Sequence, residues 1–299
     1  MSIVDEIIAA GGYPIVPAYL TPDQWVRPEI KITPTKGIIH WTGNMNAGAN
    51  SRANRNYFEN LTGGYASAHT VGDDDSILAC IPYLPNEAEM AYHVGANTYS
   101  GQFQNSYPNA YSLGHEMCVN KDGNFRESYK RSVWVLAYWS YLYGWDVNND
   151  VARHYDVTRK HCPLPFIDLI FDDRFCTSIG FSHEDISWMR QNLHIDGIQG
   201  ETLWIKFTQD VSQLTQILRE ENGSLQGGAK KVKFTNDYQW GMLVNALHQL
   251  YVKSTNGKLE HPLLTDYGWV NSAYSGDMTI DDMAWLAIIL LCKDKGILV

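Results

Sequence analysis

The stretch that decides the fold is GIIHW at residues 37–41, an apolar run that the turn-prone sequence TGN follows directly. Its length and composition predict a short buried strand with His40 near its carboxyl end. A histidine beside a strand is most often a hydrogen-bonded core residue. Whether His40 has a chemical role therefore depends on residues elsewhere in the chain.

His154 and Cys162 lie eight residues apart in the sequence RHYDVTRKHCP, and Pro163 ends any regular element behind the thiol. The end of a strand fixes the position of His40, and a tight loop brings His154 and Cys162 close together, so the three side chains can converge on one ion. Two imidazoles and a thiolate suit zinc, and three protein ligands leave the fourth tetrahedral position to water. We therefore expect a catalytic Zn²⁺ site, in which Asp156 either orients a ligand imidazole or forms the turn.

Glu116 and Lys160 are the candidate catalytic residues. Glu116 lies in LGHEMCV, an apolar run that predicts a buried strand, and burying an uncompensated charge is costly. A general base explains a carboxylate there; the alternative is a glutamate on a solvated strand face. Lys160 precedes Cys162 by two residues and would stabilise charge on the attacked carbonyl oxygen, unless it is a solvated loop lysine. Alternation along the strand directs His115 to the face opposite Glu116.

Five strings in this order resemble the zinc-dependent N-acetylmuramoyl-L-alanine amidases of the phage-lysozyme and peptidoglycan-recognition-protein superfamily. The strings are GIIHWTGN, SAHTVGDD, AYHVGAN, LGHEMCVN and RHYDVTRKHCP. The resemblance implies an α/β fold with a central mixed β-sheet flanked by helices. It also implies hydrolysis of the amide between N-acetylmuramic acid and the L-alanine of the peptidoglycan stem peptide, with zinc held by His40, His154 and Cys162.

The resemblance implies roles for further residues. Family members that cleave this bond carry a lysine at the position of Lys160 and a glutamate in the strand of Glu116. The histidine of AYHVGAN, His93, would border the substrate groove, and that of SAHTVGDD, His69, would lie near the metal, so both are predicted substrate-binding residues. Some relatives have a tyrosine where this chain has Ala68, and we therefore expect no tyrosine as the base.

A polar, glycine-rich run at residues 220–228 predicts a linker, because it can neither pack nor hold a helix. We therefore expect a catalytic domain at 1–219, a linker at 220–230 and an all-α module at 231–299, where apolar residues recur at helical spacing. The resemblance to phage lysins implies that this module binds a wall polymer, which raises the local substrate concentration. A folding or dimerisation appendage is the alternative.

Within the catalytic domain, an aromatic helix is expected over about residues 128–143, with Gly144 at its end. An insertion at about residues 168–200 has no counterpart in the resemblance. The first 36 residues form an irregular lead-in that either lines the groove or covers the sheet.

Composition restricts the possible partners. The 299 residues are 44% hydrophobic and carry a net charge of −10, which excludes nucleic acid as the target, since that partner needs a basic surface. The longest apolar run, 284–292, is too short to span a bilayer, and MSIVDEIIAAGG lacks the features of a signal peptide. Five is an odd number of cysteines, and their spacing fits no disulfide framework, so we expect Cys80, Cys118, Cys176 and Cys292 to be free buried thiols. We expect a phage endolysin that accumulates in the host bacterial cytoplasm and reaches the wall after membrane perforation.

Two other functions remain open. A peptidoglycan-recognition module would bind muropeptides without cutting them, as superfamily members without the cysteine ligand do, but Cys162 and Lys160 are both present here. A cysteine-type amidohydrolase would use Cys162 as nucleophile and His154 as base. A chelator distinguishes the second alternative, because it silences a zinc enzyme and spares a thiol enzyme.

Overall fold

The structure is a computed structural model and describes residues 1–95, 98, 101–103, 105–223, 247, 286 and 290. The chain divides into two compact units, Met1–Arg219 and Glu220–Val299. Most of the predicted linker and of the predicted helical module lies outside the described residues. Residues 247, 286 and 290 are helical.

One mixed sheet of six strands organises the first unit, in the order β1-β4-β3-β5-β2-β6. Strands β3 and β4 are antiparallel, and the other four neighbouring pairs are parallel. This sheet confirms the α/β fold expected from the sequence. The strands are β1 (Ile15–Pro17), β2 (Lys36–Trp41), β3 (Thr70–Gly72), β4 (Ile77–Ala79), β5 (Ser112–Met117) and β6 (Val151–Arg153).

Within the described residues the helices are α1 (Ile3–Ala9), α2 (Ser51–Glu59), α3 (Phe125–Tyr143), α4 (Val147–Asp150), α5 (His154–Thr158), α6 (Asp173–Ser178), α7 (His183–Asn192) and α8 (Gly200–Gly223). Helices α1 to α4 are interspersed with the strands along the chain, and α5 to α8 come after the last strand. The predicted aromatic helix is α3: Asn124 caps its first turn, and Gly144 ends it in the left-handed conformation at φ 69°. Helix α8 continues to Gly223, so the prediction that the linker holds no helix from residue 220 onward was wrong at its start.

Alternation along β2 and β5 gives the sheet two different faces. Ile39, Leu113 and Met117 pack in one hydrophobic cluster with residues of α3. His115 lies on this face, because its Nε2 is 2.9 Å from the Ser132 hydroxyl of α3. His40 and Glu116 are paired in register on the opposite face. The predicted separation of His115 from Glu116 is confirmed.

The lead-in and the insertion both contain regular structure. The lead-in supplies α1 and strand β1, which pairs with β4 at the sheet edge. The insertion supplies α6 and α7 ahead of α8. Helix α8 then packs on α3, where the Tyr129 hydroxyl donates to Asp210 at 2.9 Å.

Two expectations from composition can be compared with the described residues. No helix among them is both long enough and apolar enough to cross a bilayer. Cys80, Cys118 and Cys176 are free and buried, as predicted, and Cys292 lies outside the described residues.

Candidate metal centre and groove

The three predicted ligands meet at one end of the sheet. His40 lies near the carboxyl end of β2, and His154 directly follows β6, the parallel neighbour of β2. Cys162 returns to the same place after the short helix α5. The three side chains are buried, and their donor atoms all lie within 4.8 Å of one another. Parallel pairing of adjacent strands thus brings together residues that are 114 and 122 positions apart.

The spacing of the donor atoms fits a tetrahedral zinc ion. His40 Nδ1 lies 3.0 Å from His154 Nδ1 and 3.8 Å from Cys162 Sγ. Zinc–nitrogen bonds of about 2.0 Å and zinc–sulfur bonds of about 2.3 Å place tetrahedral donors roughly 3.3–3.6 Å apart. Burial lowers the pKa of His154 to about 3 and that of His40 well below its usual range. Both imidazoles are therefore neutral, which is the form that binds a metal.

His93 contacts the ring nitrogen of His40 that faces away from the other ligands. His40 Nε2 lies 3.0 Å from His93 Nδ1, and His93 Nε2 lies 3.2 Å from the Ser112 hydroxyl. Because His40 presents Nδ1 to the ligand cluster, we assign the proton to Nε2, which then donates to His93. This partner fixes the orientation of a ligand imidazole, a role that the sequence did not indicate for His93.

Gly114 provides the space that His93 occupies. A Cβ atom at residue 114 would lie 2.5 Å from His93 Cγ and 2.6 Å from His93 Nδ1. Such distances are far inside van der Waals contact, so only glycine allows the imidazole to pack against β5. The glycine of the LGHEMCV string indicates that some group approaches β5 closely, but it does not identify His93 as that group.

Glu116 is placed as a general base requires. Its Oε1 lies 4.0 Å from His40 Nδ1, and its Oε2 is buried without a hydrogen-bond partner among the described residues. Burial raises the pKa of Glu116 to about 8, and the charge of Lys160 opposes this rise. A buried polar atom normally has a partner, so this oxygen is available to a water molecule or substrate.

A cavity of about 700 Å³ opens beside the ligands. His154, Lys160 and His93 line it, together with Tyr65 and Tyr92. Lys160 is exposed, and its positive charge contributes to lowering the pKa of His154. The predicted positions of Lys160 near the ligands and of His93 beside the groove agree with this cavity.

His69 does not reach the groove. It has no exposed surface, its Nε2 lies 2.8 Å from the Glu89 carbonyl oxygen, and its Nδ1 accepts from the Gly114 amide at 2.9 Å. Both ring nitrogens are therefore bound to backbone groups, and the predicted substrate-binding role of His69 was wrong. It instead links the start of β3 to β5.

Two neighbours of the ligands have structural roles. The Asp156 carboxylate accepts from the Arg153 amide and guanidinium at 2.8–3.1 Å, so it stabilises the turn and does not orient an imidazole. The ring of His161 packs against Phe175 with centroids 4.5 Å apart, which directs it away from the site.

Comparison with known proteins follows from this geometry. Residues 31–165 match the family model described as N-acetylmuramoyl-L-alanine amidase. Residues 31–165 are a domain of the type 2 amidase family. This amidase domain contains His40, Glu116, His154, Lys160 and Cys162, and it excludes the insertion.

Several amidases resemble this amidase domain in sequence. The chain is 34% identical over 161 residues to N-acetylmuramoyl-L-alanine amidase BlyA of Bacillus subtilis strain 168, covering 50% of this chain and 42% of the relative. It is 32% identical over 160 residues to the amidase CwlL of Bacillus licheniformis, covering 51% and 42%. The match therefore spans less than half the length of these relatives. The solved catalytic domain of XlyA is 26% identical, with 56% of this chain and 99% of that chain covered and a TM-score of 0.44.

Proposed function

We propose that this chain hydrolyses the amide bond between N-acetylmuramic acid and the L-alanine of the stem peptide in peptidoglycan. The observation that carries the proposal is the convergence of His40, His154 and Cys162 beside Glu116 within the amidase domain. The named activity of relatives such as BlyA and CwlL supports the same reaction.

His40, His154 and Cys162 would hold zinc through two nitrogens and one sulfur. Zinc, when bound, supplies an activated water and polarises the amide carbonyl. His93 keeps the ring of His40 in the orientation that presents Nδ1 to the ion, through the 3.0 Å contact at Nε2. The protein thus contributes a fixed ligand set that needs little rearrangement.

Glu116 moves the proton in the proposed reaction. Its unpartnered carboxylate oxygen accepts a proton from the attacking water and returns it to the leaving amine of L-alanine. Lys160 lines the cavity beside His154, and its ammonium stabilises negative charge that develops on the attacked carbonyl oxygen.

The placement of Cys162 favours a metal ligand over a nucleophile. The thiol is 3% exposed, its sulfur accepts from the Trp41 amide at 3.4 Å, and it lies 3.8 Å from the Nδ1 atom that His40 also presents to His154. A buried thiol held between two imidazoles and a backbone amide suits a metal ligand better than a nucleophile, so these contacts disfavour the cysteine-type amidohydrolase.

Replacement of Glu116 tests the proposal. Purified cell walls are incubated with the protein, and mass spectrometry measures new L-alanine amino termini. We expect Glu116→Gln to retain zinc but to release fragments about 10²–10⁴-fold more slowly, the usual contribution of a general base. The control is Glu184→Gln, the same chemical change in the first turn of α7, which should keep the wild-type rate. A fully active Glu116→Gln variant would remove Glu116 from the mechanism, and wild-type protein that binds muropeptides without cleaving them would identify a recognition module.

The biological setting forms a separate part of the proposal. We propose an endolysin that is held in the host bacterial cytoplasm until the membrane is perforated, with residues 231–299 binding a wall polymer. The resemblance of the motifs to phage lysins supports this setting, which stays a prediction.

A further inference from the structure

A second cavity, of about 410 Å³, lies next to the catalytic one. Tyr65 and Tyr92 line both cavities. Their rings meet edge to face with centroids 4.9 Å apart, and Tyr65 is 61% exposed. Two aromatic side chains thus connect the catalytic groove with the second cavity, so a polymeric substrate can occupy both.

The lead-in supplies the remaining wall of the second cavity, and Glu89 holds it in place. Glu89 is 4% exposed, and its carboxylate pairs with Arg27 at 2.7 Å and with Lys31 at 3.2 Å. The backbone continues this attachment, since the Met90 amide donates to the Ile30 carbonyl oxygen at 2.7 Å. A wall fixed by a buried ion pair and backbone hydrogen bonds is already formed before a ligand arrives, as binding sites usually are.

The polar groups of this cavity favour a neutral ligand that donates hydrogen bonds. Asp23 and Glu29 are exposed and line it. Arg27 also lines it, but its guanidinium is engaged by Glu89 and by the Leu20 carbonyl oxygen at 2.9 Å. A ligand carboxylate would therefore meet two acids and a cation that is already paired. Sugar hydroxyls can donate to the carboxylates, and an apolar pyranose face can pack on tyrosine, whose ring is apolar and whose hydroxyl is polar.

The backbone at Glu29 supports a functional reading of the same wall. Glu29 has a φ of 56°, a conformation that is uncommon for residues other than glycine and that concentrates at functional sites. Within the described residues no hydrogen bond or ion pair holds its carboxylate. Glu29 thus lines a cavity that adjoins the catalytic groove, with a carboxylate that no described residue pairs.

We propose that the cavity between residues 22–29 and the Tyr65–Tyr92 pair binds a saccharide of the glycan strand, on the sugar side of the scissile amide. This inference rests on the proposed amidase function. The catalytic cavity, which contains Lys160, then takes the stem peptide with its carboxylates. Because acids line the saccharide cavity and Lys160 lines the catalytic one, the substrate binds in a single orientation, with its glycan in the first and its stem peptide in the second.

The test compares substrates that share one stem peptide and differ in glycan length. For the wild-type full chain, we expect kcat/KM to rise about tenfold from a monosaccharide to a tetrasaccharide substrate, which corresponds to about 1.4 kcal/mol. The double variant Asp23→Asn/Glu29→Gln should bring this ratio to about one, because the lost partners are charged acceptors of sugar hydroxyls. Glu184→Gln, the matched control outside both cavities, should keep the wild-type ratio.

Three results would overturn the saccharide site. The first is a wild-type kcat/KM that does not depend on glycan length, and the second is a double variant that keeps the wild-type dependence. The third is a kcat/KM that depends on a free amino group of the stem peptide and not on glycan length, since the two acids would then bind a cation. Calorimetry with a peptide-free tetrasaccharide separates this inference from the proposed reaction. If no substrate is cleaved but the tetrasaccharide binds, and the double variant weakens that binding about tenfold, the amidase proposal is wrong and the saccharide site is supported.

Discussion

At the scale of single residues, the position of His93 depends on the missing side chain of Gly114. The Gly114→Ala variant would place a methyl group 2.5 Å from the His93 ring, so the imidazole has to move away from His40. Partners that orient a ligand histidine typically contribute about 10–100-fold to metal affinity. We therefore expect Gly114→Ala to bind zinc at least about tenfold more weakly, as measured by competition with a chromogenic chelator.

Gly64→Ala is the matched control for this substitution, because a Cβ there would meet no atom within 4 Å. Its zinc affinity should equal that of the wild type. Circular dichroism establishes that both variants are folded. A folded Gly114→Ala variant with unchanged zinc affinity would show that His93 does not position His40.

Single residues also show which parts of the site could be predicted from sequence. Strand patterns predicted His40 and Glu116, since an apolar run fixes the strand and alternation fixes the face. The contact of His93 with His40 at 3.0 Å was not predicted, because residues 91–95 belong to no strand or helix that would fix the position of His93. His69 has the same motif context as a site residue, but both its nitrogens bind backbone groups, and no local pattern reveals that.

At the scale of elements, α3 packs against the strands that carry His40 and Glu116. Glu6 of α1 forms ion pairs with α3. The Glu6 carboxylate lies 2.6 Å from Arg126 and 3.1 Å from Lys130. Hydrogen bonds from Arg126 chiefly lower the pKa of Glu6 from 4.5 to about 2. A carboxylate with a depressed pKa in the folded state stabilises the fold above about pH 4.5, and this contribution is lost as the pH falls towards 2.

Glu6→Gln should therefore lower the free energy of unfolding at pH 7 and have a smaller effect at pH 3. The linkage sets an upper limit of about 3 kcal/mol at pH 7, reduced by solvent screening because the Glu6 side chain is 23% exposed. Urea denaturation at the two pH values measures the difference, with Glu184→Gln as the control for charge removal. An equal loss of stability at pH 7 and pH 3 would exclude this ionic contribution.

Helix ends illustrate what local sequence determines and what it does not. Asn124 and Gly144 bound α3 because each has a local mechanism, a side-chain cap and a left-handed glycine. The run from residue 220 was predicted to hold no helix, but the glutamates at 220 and 221 are good helix formers, and α8 ends only at Gly223. Composition alone thus missed the helical residues at the start of the predicted linker.

At the scale of the whole molecule, the proposed zinc site joins distant parts of the chain and should stabilise the folded state. His40 and Cys162 are 122 residues apart, so the unfolded chain does not hold the three donors together. Zinc at a hundredfold excess over its dissociation constant would add about 2.7 kcal/mol. We expect a chelator to lower the melting temperature in calorimetry and to abolish wall hydrolysis, with both restored by zinc.

The His154→Ala variant serves as the control for metal removal. It should show neither the loss of melting temperature on chelation nor the gain on adding zinc, because one of the three donors is missing. A chelator that leaves both hydrolysis and melting temperature of the wild type unchanged would contradict the zinc site and favour a thiol mechanism.

The division of the chain into two units yields a further prediction. A chain of residues 1–223 keeps the compact unit and the whole of α8, so it should cleave soluble muropeptides at a rate close to that of the full chain. We expect it to lose most of its affinity for intact walls, as measured by co-sedimentation. Unchanged wall binding by residues 1–223 would remove the anchoring role from residues 231–299.

The order of strands in the sheet separates the residues proposed for catalysis from those proposed for saccharide binding. The ligands and Glu116 come from the half formed by β5, β2 and β6, whereas the lead-in enters along β1 at the opposite edge. Chimaeras that exchange residues 18–32 between amidases are therefore expected to change the preferred glycan length while the chemistry stays the same.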